Sequence, residues 1–214
     1  HLTRPLERIG AHAKGFNIEG LKDGIEKVYH LYEVFQVVNE EKIPCWPGPM
    51  TVEEYWNGTC KPENLHISSS WCYGNAGVMR GLQKVAGYMG WKEKEQAHVE
   101  TMIRFFSQNI KTYDLYSPSL CHGFSSLVAI QMCAYSSYRN PKLLTNLERH
   151  IQKMIAGYRK NNENELNLTD IRNKSILIEG HLNDLSILTG SVGIAITLLS
   201  LKRTTKTGKL LMID

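Results

Sequence analysis

Three stretches of the chain repeat one pattern. Gly74-Asn75-Ala76-Gly77-Val78, Gly123-Phe124-Ser125-Ser126-Leu127 and Gly190-Ser191-Val192-Gly193-Ile194 each set a glycine, two residues, a small residue and an aliphatic at the head of an apolar run. The intervals between them fit one inner and one outer helix with loops of variable length. Repetition of this kind implies a curved helical array, in which a small residue in the first turn lets that turn approach its neighbour closely. The alternative is a plain irregular helical domain.

The runs between these openings support the array. Leu21, Ile25, Val28, Tyr32, Phe35 and Val38 step at three and four residues, which predicts an amphipathic helix from Leu21 to Val38. Val78, Leu82, Val85 and Met89 predict a helix stopping at Gly90, and Val99, Met102, Ile103, Phe106 and Ile110 predict an antiparallel partner between Lys92 and Ile110. From Phe124 to Ala134 the chain is apolar almost all round, as a buried helix is. Pro141 restarts the chain, and the stripe from Leu143 to Tyr158 predicts its outer partner. A third apolar helix is expected through Leu201. Between Ile43 and Cys60, Pro44-Cys45-Trp46-Pro47-Gly48-Pro49 marks a long ordered loop or lid. Lys160 to Asn167 is expected to be a solvated loop, and residues 202–214 a loose tail, basic from Lys202 to Lys209.

Two of the three openings carry chemistry just ahead of their glycine. Ser70-Trp71-Cys72-Tyr73-Gly74 and Leu120-Cys121-His122-Gly123 are read as two edges of one metal site. Two thiols and an imidazole suit Zn²⁺, and three protein ligands leave a fourth tetrahedral position for chemistry. Cys72 and Cys121 have the alternative of being small buried residues, and His122 that of capping a turn. Trp71 and Tyr73 flank a ligand, where they could shape a substrate groove or simply pack. Cys45, Cys60 and Cys133 lack a motif and are read as non-ligands. His12, His30, His66, His98, His150 and His181 are read as surface or satisfied histidines.

Composition narrows the function classes. Apolar content of 42% over 214 residues is enough to bury a core. A net charge of +4, spread along the chain without a basic block among aromatics, disfavours nucleic acid and anionic membrane as partners. Five cysteines are too sparse for a secreted disulfide framework, and no signal peptide or long apolar span is present, so a cytoplasmic setting is expected.

Trp71-Cys72-Tyr73-Gly74 and the later Cys121-His122-Gly123, with glycine-headed inner helices, resemble the lanthionine synthetase C-like (LanC) cyclase family, in particular class I lantibiotic cyclases. The likeness runs from about Gly15 to Leu201 and includes Trp46-Pro47-Gly48 and Thr189-Gly190-Ser191-Val192-Gly193. It implies an all-α fold, an α/α toroid of paired inner and outer helices, with Zn²⁺ held at its mouth by Cys72, Cys121 and His122. It also implies an activity. A zinc-activated cysteine thiolate of a dehydrated precursor peptide adds to dehydroalanine or dehydrobutyrine in the same peptide, closing a thioether ring. The partners implied are that peptide and, in a membrane-associated complex, a lantibiotic dehydratase and an exporter.

The sequence departs from the family pattern in three ways. Members are about twice this length, so the chain is expected to be a C-terminal part of one toroid domain, an incomplete arc of three to four helix pairs. Such an arc exposes apolar faces that a closed ring covers, and activity of the chain alone is not expected. The family's upstream catalytic acid and Ala-His-Gly histidine have no clear counterpart; His1, followed by Leu2, is the one remnant candidate for the histidine. An arginine usual four residues before the first zinc cysteine is Ser68 here, which bears on substrate orientation and enolate stabilisation. Two other functions fit a helical toroid with zinc. One is a prenyltransferase-like subunit, although the Asp-x-Cys it uses is absent. The other is a non-catalytic module holding a thiol ligand such as a glutathione-like peptide.

Overall fold

Each of the three glycine-headed runs is a helix in the computed structural model, which describes residues 18–61, 64–66, 68–159, 168–173, 176–180 and 185–202. In chain order the elements are α1 (Leu21–Val34), β1 (Val37–Val38), β2 (Pro44–Pro47), α2 (Val52–Asn57), β3 (Leu65–His66), α3 (Asn75–Met89) and α4 (Lys92–Phe106). They continue with α5 (Phe124–Tyr138), α6 (Leu147–Arg159), β4 (Leu168–Asn173), β5 (Ile176–Gly180) and α7 (Ser191–Lys202). Single 3₁₀ turns at Ile110–Tyr113 and Pro141–Leu144 join the longer helices. His1, His12, the loop at 160–167, His181 and the tail after Lys202 lie outside the described residues.

The inner row is α3, α5 and α7, with α5 packed between the other two. Its side chains make the core: Met79, Leu82 and Ala86 of α3 and Leu127, Ile130 and Ala134 of α5 are almost wholly buried. Fully burying a leucine- or isoleucine-sized side chain is worth roughly 1.5–3 kcal/mol, so a helix apolar all round, like α5, is held by its neighbours rather than by helix propensity. On the outside, α4 lies against α3 and α6 against α5. Their stripes are amphipathic, with Val99, Met102, Phe105 and Phe106 of α4 turned inward. The turn between α3 and α4 is only two residues, Gly90 and Trp91, because Gly90 takes φ 77° and its N–H caps the carbonyls of Ala86 and Gly87. The outer helix α1 meets α4 through Tyr29, whose ring stands edge-on to Trp91 at 4.9 Å and whose hydroxyl lies 2.5 Å from His98 Nε2. Among the described residues the arc therefore holds two complete pairs, an outer helix before them and an inner helix after them. None of the described helices is long and apolar enough to cross a membrane.

A buried polar network sets the spacing of the two inner helices. Arg80 on α3 donates to Gln83 and, at 3.0 Å, to Ser137 on α5. Gln83 donates in turn to Tyr138 and, at 3.3 Å, to Glu95 on α4, to which Tyr138 also donates. Gly87 leaves room for the Glu95 carboxylate, which a side-chain carbon there would meet at 2.7 Å.

The helical frame carries two small antiparallel sheets that periodicity did not predict. The helix expected to reach Val38 ends at Val34, and the β-branched Val37 and Val38 pair instead with Cys45 and Pro44. Asn39 closes that hairpin by accepting the Ile43 N–H at 2.8 Å. The expected loop or lid is thus an ordered wedge: β2 also pairs with β3, Trp46 opposite His66. Trp46 Nε1 donates to the Tyr32 carbonyl at 2.8 Å, and its N–H donates to Asn75 Oδ1 at 3.3 Å, which ties the wedge to α1 and to the head of α3. Later, β4 and β5 form a second hairpin, Leu168 opposite Gly180. Between Cys45 and Cys60 the short helix α2 follows a Thr51-x-x-Glu54 capping box.

Glu54 closes that box and more. Its carboxylate accepts the N–H groups of Lys61 and Thr51 at 2.8 Å each and the amide of Asn64 at 2.8 and 2.9 Å. These bonds, that of Lys61 foremost, hold its pKa down to about 2, against an ordinary value of 4.5. The carboxylate therefore contributes stability that is fully present above the ordinary value and fades as pH falls towards about 2. Glu54→Gln is expected to lower the thermal midpoint at neutral pH, and the gap from the parent to close as pH drops from about 4.5 to 2. A gap that stayed constant over that window, in a melting series by circular dichroism, would contradict the assignment. Gly193→Ala is expected to destabilise by at least about 1–3 kcal/mol in chemical unfolding, since its methyl group would overlap the Ile187 carbonyl and crowd Leu120 Cβ.

Candidate metal centre

The centre is made by the turns that lead into the inner helices. In the first, the N–H groups of Asn75 and Gly77 donate to the carbonyls of Ser68 and Ser70 at 3.0 and 3.3 Å, folding the turn back over the start of α3. In the second, the Phe124 N–H donates to the Ser117 carbonyl at 2.9 Å and seats the start of α5 in the same way. Gly74 and Gly123 are the N-caps, and at each a side-chain carbon would collide with backbone of the turn, at Ser70 and Ser68 in one and Ser117 and Ser119 in the other. Gly77 lies against the carbonyl of Trp71. Backbone bonds then tie neighbouring segments together: Ser69 N–H to the Tyr113 carbonyl at 3.1 Å, and Cys121 N–H to the Leu188 carbonyl at 2.8 Å.

This packing brings together the residues that the two motifs nominated. The ligand atoms of Cys72, Cys121 and His122 all lie within 4.8 Å of one another, and they are the one such group among the described residues. Cys72 Sγ is 3.0 Å from His122 Nδ1. Both cysteines are buried and His122 is half-buried, so the cluster opens to solvent on the imidazole side. The Cys72 thiol is held well below the usual thiol range: Cys121 beside it favours the thiolate most, burial opposes, and His122 and Ser70 add to the lowering. A pair of thiols, one already inclined to ionise, and an imidazole at this separation form a donor set that fits Zn²⁺.

The other nominated residues fall differently. Trp71 is buried in the core, its backbone forming the seat for Gly77. Tyr73 is 40% exposed, with its ring 5.2 Å from that of His122. Ser68, at the position where a cation was looked for, uses its hydroxyl to accept the Ser70 N–H at 3.4 Å. Cys45 lies in β2 and Cys133 within α5, away from the cluster. His98 is half-buried and His150 fully buried, and loss of hydration pushes the pKa of each down to about 4. His98 is satisfied by Tyr29, but His150 only in part: Nδ1 faces Gln131 Oε1 at 2.9 Å, while Nε2 has no partner.

The sequence reading missed the serines. Ser70, Ser119 and Ser186 each stand four residues before the glycine that opens an inner helix, a repeat as regular as the glycines themselves. In the second turn Ser119 Oγ accepts the His122 N–H at 3.4 Å, and in the third Ser186 Oγ accepts the Thr189 N–H at 3.3 Å.

Comparison with known proteins agrees with the geometry. Residues 10–212 match the family of lanthionine synthetase C-like proteins. The chain belongs to that family. Over 120 residues it is 25% identical to the nisin biosynthesis protein NisC of Lactococcus lactis subsp. lactis, a match covering 56% of this chain and 28% of that one. Its fold superposes on nisin cyclase with a TM-score of 0.72 at 17% identity, covering 98% of this chain and 49% of that structure. The fold is therefore an arc of the family's α/α toroid, and the chain spans about half the length of that solved structure.

If the cluster is a metal centre, the purified chain should carry about one zinc per molecule by elemental analysis. Cys121→Ala should lose that zinc, and a variant that kept a full equivalent would remove Cys121 from the ligand set.

Proposed function

We propose that this LanC-like chain serves a lantibiotic cyclase activity, thioether ring formation in a dehydrated precursor peptide. The single observation that carries the reading is the convergence of Cys72, Cys121 and His122 from two separate turns. These three residues would hold zinc, which when bound would leave a position for a substrate thiol and favour its ionisation at neutral pH, well below its ordinary pKa of about 8.5. The chain's own residues supply the rest. Burial of both cysteines shields the centre on the protein side, and the half-buried His122 marks the side from which a peptide arrives. Tyr73, exposed beside His122, forms a wall of the peptide groove, while Trp71 supports the turn from behind. Addition of the substrate sulfur to the dehydro residue leaves an enolate, which needs a proton donor close by. With Ser68 in place of a cation, that enolate has no fixed positive charge from the residue four positions before Cys72. His1 remains a candidate for the upstream histidine. The same reading sets the chain in the cytoplasm, beside a dehydratase and an exporter.

A binding module that keeps zinc to hold a peptide thiol is the second reading, favoured by Ser68 standing in place of a cation. Incubation with a dehydrated precursor peptide separates the two. Cyclisation consumes free thiol without changing peptide mass, whereas a binder leaves the thiol titre unchanged. A rise in product mass would instead indicate transfer of an alkyl group and sink both readings.

A further inference from the structure

We propose that His150 is an acid-sensitive support behind the turns that carry Cys72 and Cys121: it holds them while its ring is neutral, and a proton arriving on its Nε2 loosens both. The ring is wholly buried on α6, and Nε2 is one of two buried side-chain polar atoms among the described residues that have no hydrogen-bond partner. Gln131 on α5 fixes which nitrogen is bare. Its amide nitrogen donates at 2.7 Å to both the Leu143 and the Thr145 carbonyl, which leaves Oε1 facing the ring. An oxygen there can only accept, so the 2.9 Å contact requires the hydrogen on His150 Nδ1. Nε2 is then the lone-pair nitrogen of the neutral ring. A proton placed on it would become a buried donor with no acceptor, on a charge taken out of water.

The ring touches what holds the two turns. It stands edge-on to Tyr113 at 5.1 Å and lies 6.4 Å from the ring of Phe124. The Tyr113 carbonyl accepts the Ser69 N–H at 3.1 Å in the first turn, and the Phe124 N–H donates to the Ser117 carbonyl at 2.9 Å in the second. Among the described residues no charged group acts on the ring. From α5 it meets Gln131 and Phe124, and from the 3₁₀ turn Tyr113, whose hydroxyl donates to the Phe105 carbonyl and whose ionisation burial pushes up. Glu148, Arg149 and Lys153 of its own helix are exposed, and β4, which also packs on α6, carries Asp170 and Arg172. Burial is thus the cause that holds the His150 pKa down to about 4, against an ordinary value of 6.5. The unfolded or opened chain takes a proton as pH falls through 6.5, whereas the closed one refuses it until about 4. The stability owed to the neutral ring is therefore present in full above 6.5 and lost as pH falls from there to about 4.

The test follows the full chain at two pH values, about 7 and about 5, by ¹⁵N NMR of its assigned histidine rings and by amide hydrogen exchange corrected for the intrinsic rate. His150→Asn is measured alongside, since its side-chain amide keeps a donor for Gln131 and takes up no proton. In the parent, His150 is expected to remain neutral at both pH values with its hydrogen on Nδ1. Protection of the Ser69 and Phe124 amides is expected to fall on acidification by roughly twentyfold more in the parent than in His150→Asn. His98, held down to about 4 as well, and any metal lost in acid act alike on the two chains and drop out of the comparison. A hydrogen on Nε2, a ring already protonated at the lower pH, or equal falls in the two chains overturns the proposal. None of these outcomes bears on the zinc reading, because the same comparison runs in the metal-free chain. If His150→Asn does not fold, the parent decides: protection at Ser69 and Phe124 that falls on acidification supports the proposal, and unmoved protection overturns it.

Discussion

The close approach of helix to turn at Gly77 and Gly193 is the constraint on which the rest of the molecule depends. At each, a β-carbon would overlap a carbonyl of the preceding turn, that of Trp71 in one case and Ile187 in the other. Only with hydrogen at these positions can the turn fold flat over the first turn of its helix and satisfy the early backbone donors. Ser126 fills the corresponding place in α5 and donates its hydroxyl to the Gly123 carbonyl at 2.7 Å, so the repeat tolerates a small polar residue where the approach is less close. Turns held in this way lie side by side along one end of the inner row. Two distant sulfurs and an imidazole meet there with no strand or disulfide to join them.

The legible part of this architecture was the part written in period and in small residues. Apolar steps of three and four gave α3, α4 and α6 close to their observed bounds, and a run apolar almost all round gave α5, which is buried on every side. The clustering of Cys72, Cys121 and His122 was legible because soft donors beside glycines have few other uses. What escaped notice was local hydrogen bonding. The Thr51-x-x-Glu54 box could have announced α2, but the prolines around it drew attention to a loop. Val37 and Val38 continue a helical stripe, and only pairing with β2 decides that they are strand. The hairpin Leu168–Asn173 with Ile176–Gly180 likewise follows from pairing between short runs, which helical periodicity does not register. The three serines before the helix-opening glycines escaped notice because serine in a turn is ordinary.

Charge explains why the centre can sit where it does. Two buried thiolates would repel one another and lose hydration, a cost of several kcal/mol per ion that a divalent cation between them offsets. With zinc the cluster is close to neutral, and Ser68 beside it adds no charge. The buried guanidinium of the next helix does not fill that gap: Arg80 is turned to Gln83 and to Ser137 on α5, where it serves the spacing of the inner row. Near the opening, beside His122, the exposed group is the uncharged ring of Tyr73.

The third turn shows why the chemistry does not repeat with the fold. Packed helices stand roughly 8–10 Å apart, whereas the ligand atoms here lie within 4.8 Å, so a shared ion can draw side chains from two adjacent turns but not from a whole row. Leu188 takes the place in the third turn that Cys72 and Cys121 hold in the others, and Thr189 that of Tyr73 and His122. Its contribution is made through the backbone instead: the Leu188 carbonyl accepts the Cys121 N–H at 2.8 Å and fixes the second turn. The first ligand turn has the matching support from Tyr113, whose carbonyl accepts the Ser69 N–H and whose hydroxyl donates to the Phe105 carbonyl of α4 at 2.8 Å. Each ligand turn is thus buttressed by the segment next to it, and rigid placement of the sulfurs is a property of the arc rather than of either motif alone.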